Sequence, residues 1–305
     1  MTMLEISDLV AEWDPVTGQR VRIRRDDVVA RLCAAGDERA ARIVRRMPVA
    51  GGFLDPVAVD RLLVRVHTEL QRLNEELHMA RRFAEILVPM LTAARVTGNR
   101  PRVVDIGCGL GFLVRSLAAS GSLGAAVDLV GVDLNRALVA EATRLAEDEG
   151  LPCSFVCADA FALTEPATVY LSSGVLHHFP AERLAGFFRA QDRPGTQAFV
   201  HYDIAATRLA PFGAWLFHRA RMREPLGRHD GVMSARRAHS DQVLLSAAAH
   251  ATGMETFLFE PPRHTNPLCA AMRPVLGVRP ELTGEFRRAM GRRARGLVPA
   301  RTRAG

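Results

Sequence analysis

The apolar positions of this 305-residue chain follow two rhythms. Through the first hundred residues they recur at helical spacing, and from Pro101 onward short apolar runs alternate with helical patterns. Residues 26–35 and 37–46 read as short amphipathic helices broken at Gly36, and the stretch MPVAGGF then marks a turn. Asp55 followed by Pro56, an N-cap acid before a proline at the first helical position, predicts a helix start. Beyond Pro56 the apolar positions repeat every seven residues. Leu63, Leu70, Leu77, Ala84 and Leu91 share one register, with Val66, Leu73, Ala80 and Leu87 three residues later. The pattern predicts one helix over about 55–88, about 33 residues and about 50 Å long, which Pro89 interrupts. Two uses of its stripe are open: packing on neighbouring helices of the same chain, or serving as a dimer seam or a lid over an active site.

Beyond Pro101, strands are predicted at 102–106, 126–133, 152–157, 167–171 and 196–203, and helices at 112–119, 136–148 and 240–252. Residues 255–260 and 267–272 are placed to close the sheet as a hairpin. Alternation of this kind predicts an α/β fold, a doubly wound, mostly parallel, seven-stranded Rossmann-like sheet with an N-terminal helical extension. The expected organisation is a helical region 1–98, a core 99–278 and a tail 279–305. The insertion at 205–239 is long for a connection and of the kind that covers active sites.

Composition narrows the class without changing that picture. With 48% hydrophobic and 24% charged residues the chain can build an ordinary core. No run of 18 apolar residues is present, and the acidic N-terminus lacks a basic-then-apolar signal layout, so a cytoplasmic location is expected. The five cysteines (33, 108, 153, 157 and 269) are an odd set with no CxxC pair, which favours reduced thiols and no metal site. All 40 basic residues are arginine, and seven lie in the last twenty residues, which hold no acid. Residues 1–285 therefore balance 33 basic groups against 33 acidic ones. The tail is a possible handle for nucleic acid or anionic lipid. It lacks the interleaved aromatics that stack on bases, which favours a solvated, poorly ordered terminus.

The candidate chemistry begins at VVDIGCGLGFL, residues 103–113. A strand, a glycine loop and a helix start turn backbone N–H groups toward a ligand, and the glycines allow close approach. Gly107, Gly109 and Gly111 depart from the GxGxxG of dinucleotide loops, whose third glycine would replace Phe112, and there is no GxxxxGK[ST] loop. DIGCGLG instead resembles the first motif of class I S-adenosylmethionine-dependent methyltransferases. The second strand ends in VGVDLN, 22 residues after Gly111, and the third in CADAF.

The resemblance implies S-adenosylmethionine as cofactor, held by Asp105, the loop residues Gly107, Cys108, Gly109 and Gly111, and by Asp133, whose carboxylate would accept both ribose hydroxyls. It places Leu134 beside the adenine, with Asp159, Ala160 and Phe161 near the adenine amino group and Ser173 at the next strand tip. Acids at successive strand ends converge on one crevice in open α/β sheets, whereas any single one of them can simply cap a turn. The fourth strand ends VYLSSGVLHHF, with Ser172-Ser173-Gly174 where nucleobase and amide methyltransferases carry an Asn-Pro-Pro-Tyr type motif. LHHF is similar to a small-molecule branch related to quinone and natural-product enzymes, in which a histidine here faces the acceptor. His177 or His178 would then accept the acceptor's proton, with Asp203 of HYDI orienting it. Either histidine can equally serve only the local helix start.

His201 and Tyr202 are secondary candidates on Asp203's strand. HDGVMSARRAHSDQ resembles a segment bordering the substrate pocket in the same branch, which adds His229, Asp230 and Arg236; a cap at Ser240 or Asp241 explains part of it. Trp215 and Phe217 suit either an apolar acceptor pocket or the core. The resemblance spans roughly 80–278 and implies methylation of a small metabolite at oxygen, with carbon or nitrogen behind. Two other classes stay open: an RNA methyltransferase using the arginine tail, and a binding or regulatory protein that has lost catalysis. A homodimer through the long helix is possible, and a nucleic-acid partner is the less expected one.

Overall fold

In chain order the elements are α1 (Ile6–Val10), α2 (Arg25–Ala34), α3 (Glu38–Arg45), the two-residue strands β1 (Val49–Ala50) and β2 (Phe53–Leu54), α4 (Pro56–Glu76) and α5 (Met79–Ala93). Next come β3 (Arg102–Ile106), α6 (Phe112–Ser120), β4 (Asp128–Asp133), α7 (Arg136–Asp148), β5 (Cys153–Cys157), β6 (Val169–Ser173), a 3-10 turn at Leu176–His178, α8 (Ala181–Gln191) and β7 (Ala198–Ile204). The chain ends with α9 (Ala210–Arg221), α10 (Pro225–Arg237), α11 (Asp241–Ala248), β8 (Glu255–Phe259), β9 (Met272–Val278), α12 (Pro280–Met290) and β10 (Leu297–Pro299). The computed structural model describes residues 3–14, 17, 19–94, 100–162, 167–260 and 270–300. Cys269, the first part of the strand expected at 267–272 and the last five residues of the tail lie outside these.

Two compact units form. One joins Met1–Leu73 to Thr207–Arg237, and the other joins Asn74–Ala206 to Ala238–Gly305. In the first, α10 is tied to the N-terminal helices by polar contacts. His229 Nε2 lies 2.8 Å from Asp37 Oδ2 and its Nδ1 lies 2.7 Å from Asp230 Oδ1. Asp230 also accepts the amides of Ile6 and Ser7, at 2.9 and 2.8 Å, and so holds the start of α1. Burial alone would lower the His229 pKa, but its bonds to and the charges of Asp230 and Asp37 raise it. Its stabilisation is therefore full below about 6.5 and is lost as pH rises through the raised folded value.

The second unit holds the sheet, with strand order β10-β8-β9-β7-β6-β3-β4-β5. The β3–β4, β4–β5, β3–β6 and β6–β7 pairs are parallel; β7–β9, β8–β9 and β8–β10 are antiparallel. Strand order reverses at β3, which is followed by the glycine loop. One face is covered from α5, α6 and α12 by Phe83, Ile86, Leu113, Leu117 and Phe286; the other from α8 and α11 by Leu184, Phe187, Phe188 and Leu244.

Three expectations are corrected. The helix expected over 55–88 is two helices, because His78 adopts a left-handed conformation (φ +52°, ψ +38°) between Glu76 and Met79. The seven-residue pattern runs through the break because Leu63, Val66 and Leu73 are buried in one unit and Leu87 in the other. α5 also continues past Pro89 to Ala93, held by the core contacts of Ile86, Leu87 and Met90. Second, the sheet has eight strands, not seven. Third, the arginine-rich tail is folded through residue 300: Leu282, Phe286 and Met290 recur every four residues and are buried, and β10 pairs with β8. Counting arginines hid that apolar stripe. Among the described residues no helix is long and apolar enough to cross a membrane.

Candidate active site

The glycine loop is built as its spacing requires. Gly107, Gly109 and Gly111 have φ of +69°, +55° and +68°, where a side chain is strained. The amides of Gly107 and Cys108 donate to the Val132 carbonyl, at 2.8 and 3.0 Å, which locks the loop to the end of β4. Gly109 N–H donates to Asp133 Oδ2 (2.9 Å), and Asp133 Oδ1 accepts the Asn135 amide (2.8 Å). Packing explains the glycine at 111. A Cβ there would lie 2.2 Å from the Phe155 ring, and one at Gly131 would lie 2.5 Å from the same ring. Phe155 is thus seated between the loop and β4, and glycine is the residue that lets it in.

Asp105 is the electrostatic anomaly of the crevice. It is 3% exposed and its Oδ1 has no hydrogen-bond partner. Burial, followed by the nearby Asp133 charge, pushes its pKa well above the carboxylate range. An unpaired buried carboxylate oxygen invites a cationic partner, because an unmade hydrogen bond costs more than a made one returns. Cys108 is shifted upward by burial and by Asp133 and Asp105, which keeps it a thiol and a poor nucleophile. Leu134 is 43% exposed beside Asp133.

Beyond β5, Asp159 Oδ1 accepts the Phe161 amide at 2.9 Å, so this acid also shapes its own turn. Half-buried Ala160 sits between them. The Phe161 ring meets Phe179 edge-on at 5.2 Å, with the Arg183 guanidinium 4.9 Å from its centroid. Two supporting residues escaped the sequence reading. Asn135 caps α7 through the amides of Ala137 and Leu138. Arg115, 5% exposed, donates to the Leu110 carbonyl of the loop at 3.3 Å and pairs with Glu149. A lone arginine within the apolar FLVRSLAAS was the available signal.

The tips of β6 and β7 bring His177 and Asp203 together. His177 Nδ1 lies 2.8 Å from Asp203 Oδ1, and the His177 amide donates to Asp203 Oδ2 at 3.0 Å. Both side chains are buried. Burial by itself would raise the Asp203 pKa; the His177 charge and hydrogen bond, with the amides of Ile204 and His177, outweigh it and hold the carboxyl low. His178 is half-buried, its ring 4.5 Å from that of His177. Of the two, the structure joins His177 to the acid. Half-buried Ser173 ends β6 opposite Tyr202.

The secondary candidates separate. His201 is fully buried between Ser172 Oγ and Gln191 Oε1, each 2.8 Å away, and burial pushes its pKa down to about 3. It is a neutral core histidine. Tyr202 points to the other face, 4.7 Å edge-on from Phe83. Because the fold keeps His201 uncharged while the unfolded chain protonates near 6.5, its contribution is complete above about 6.5. It is lost on acidification toward 3, by about 1.4 kcal/mol per pH unit. His201→Asn is therefore expected to flatten the pH dependence of unfolding free energy between about 6.5 and 4.5 by that slope. Denaturant titrations at several pH values measure it; an unchanged slope counts against a neutral buried ring.

His229 and Asp230 are the pins of the other unit, and Arg236 exerts its charge on Asp37. Trp215 is 43% exposed and Phe217 half-buried on α9, which has no buried residue, so neither belongs to a core.

Residues 103–193 match the family described as a methyltransferase domain. The chain is 28% identical over 168 residues to a ubiquinone biosynthesis O-methyltransferase of Methylococcus capsulatus, covering 52% of this chain and 68% of that protein. A ubiquinone biosynthesis O-methyltransferase of Coxiella burnetii is 29% identical over 109 residues, which is 34% of this chain and 44% of that one. The solved structure of magnesium protoporphyrin IX methyltransferase from Synechocystis PCC 6803 with bound SAH aligns with a TM-score of 0.44 at 17% identity, over 84% of this chain and 99% of that chain.

Proposed function

We propose that the chain is a class I S-adenosylmethionine-dependent methyltransferase that methylates a small-molecule acceptor at oxygen, with His177 as the proton acceptor. The observation that carries this reading is the buried His177–Asp203 pair at the tips of the two strands that follow β3 across the sheet.

The residues of the crevice fit the cofactor. The orphaned Asp105 Oδ1 suits the methionine ammonium, and ionising against that cation would relieve its raised pKa. Asp133 already spends one lone pair of each oxygen on Gly109 and Asn135 and keeps others for ribose hydroxyls. Asp159, Ala160, Phe161 and Leu134 are the adenine-side residues in this reading, and the backbone of the 107–111 loop and Ser173 border the methionine. When bound, S-adenosylmethionine supplies an electrophilic methyl group on a sulfonium. The chain's part is to position and to deprotonate.

Asp203 fixes the tautomer of His177 by accepting the Nδ1 proton, which assigns Nε2 to the acceptor's hydroxyl proton. The same carboxylate holds the His177 amide, so backbone and ring are oriented together. Catalysis of an in-line displacement is largely such positioning. Preference for oxygen is supported by the O-methyltransferase names of the Methylococcus and Coxiella relatives.

The reading is tested by incubating the protein with methyl-labelled S-adenosylmethionine and small-molecule extract. Mass spectrometry is expected to find the label on a hydroxyl oxygen; label confined to RNA or protein would refute it. In parallel, Asp133→Ala is expected to weaken cofactor binding by about 1–3 kcal/mol in calorimetry, the cost of stranded hydrogen-bonding groups. Unchanged affinity would remove Asp133 from the site.

A further inference from the structure

We propose that the outward face of α9 is a membrane-docking surface that seats in the headgroup region of an anionic bilayer. The helix has twelve residues and none of them is buried. Leu209 is 75% exposed, Phe212 63%, Leu216 56% and Trp215 43%. At about 100° per residue, Leu209, Phe212, Leu216 and Ala220 fall on one side. The half-buried Ala210, Ala214, Phe217 and His218 fall on the other. The polarity is inverted relative to an ordinary surface helix, whose outward side is polar. Phe212 and Trp215 stack with centroids 6.0 Å apart, forming a joined aromatic patch. Patches of this kind mark interaction sites.

Charge chooses the partner. Residues 204–223 carry four arginines, Arg208, Arg219, Arg221 and Arg223, and no acid. A second copy seated on this face about a two-fold axis would bring arginine toward arginine with no carboxylate in the segment to pair them. Lipid phosphates would place negative charge opposite Arg208 and Arg219, and arginine stems reach past apolar surface to meet them. Aromatic residues and leucine on the lipid side, with Arg219 between Phe212 and Trp215 around the helix and Arg208 just before Leu209, describe a helix lying in the interface plane. Twelve residues extend only about 18 Å, too short to span about 30 Å of hydrocarbon, so the contact is peripheral.

The test sediments the full chain, carrying Trp13→Phe so that Trp215 alone reports, with vesicles of phosphatidylcholine alone or mixed with phosphatidylglycerol. The anionic vesicles are expected to pull down the protein and shift Trp215 emission to the blue. Phe212→Ser with Leu216→Ser is expected to lower the partition coefficient at least about tenfold. Arg208→Glu with Arg219→Glu is expected to lower it about fivefold per arginine and to abolish the preference for anionic lipid. All four side chains are exposed, so folding, followed by circular dichroism, is expected to be unchanged. Failure to bind either vesicle overturns the proposal, as does binding that the serine pair leaves unaltered. So does a dimer in vesicle-free ultracentrifugation that the serine pair dissolves, because a second copy would then be the occupant.

Discussion

Replacing His177 with alanine is expected to lower kcat by about 10²–10⁴-fold while leaving S-adenosylmethionine affinity largely unchanged. The split arises from the geometry. His177 is joined to Asp203 at the β6 and β7 tips, whereas the proposed cofactor contacts, Ser173 apart, arise from the β3, β4 and β5 tips. Removing the ring deletes a proton acceptor without touching the glycine loop. Asp203→Asn is expected to lower kcat as well, as the loss of a positioning residue. The carboxylate accepts three N–H groups, from His177 Nδ1, the His177 amide and the Ile204 amide. A carboxamide must turn its own NH₂ toward at least one of these donors. Steady-state kinetics with calorimetric cofactor affinity separates the outcomes. A His177→Ala enzyme with unaltered kcat would reduce this histidine to a local structural contact, and a joint loss of binding and kcat would place it in the cofactor site.

The largest loss of stability is expected at Gly111. An alanine there must hold φ near +68° and place its Cβ 2.2 Å from Phe155 Cε1. The same edge of the ring, Cδ1 and Cε1, also faces Gly131 in β4, so the ring rests closely on both glycines. The left-handed backbone costs about 1–2 kcal/mol and the overpacking about 1–3, so Gly111→Ala is expected to destabilise by about 2–5 kcal/mol. Gly186 in α8 is the internal comparison: a Cβ there meets nothing within 4 Å, so Gly186→Ala is expected to stabilise by about 0.5–1 kcal/mol. Thermal unfolding of the two variants beside the parent measures both. A Gly111→Ala protein as stable as the parent would show that Phe155 yields easily.

Much of the site was legible along the chain because its signals are local. A strand, glycines that must adopt positive φ and a following helix occupy eleven consecutive residues, and α7 was read to its ends although its Asn135 cap was not noticed. Asp133 and Asp159 announced themselves by standing at strand ends. The break at His78 was not legible, since LNEELHMA contains no glycine or proline to mark it. Trp215 misled for a related reason: an apolar helix reads as core until its exposure is known.

By itself the sequence determined the parallel α/β core, the glycine loop and the roster of candidate acids and histidines, because backbone conformation and periodicity are properties of neighbouring residues. Tertiary structure alone decided which candidates meet. It paired His177 with Asp203 across 26 residues, neutralised His201 by enclosing it, left Asp105 Oδ1 without a partner, and turned His229 into a pin for Asp37, 192 residues away. Desolvation and hydrogen-bond satisfaction depend on what the folded chain brings within about 3 Å, and no local pattern encodes that.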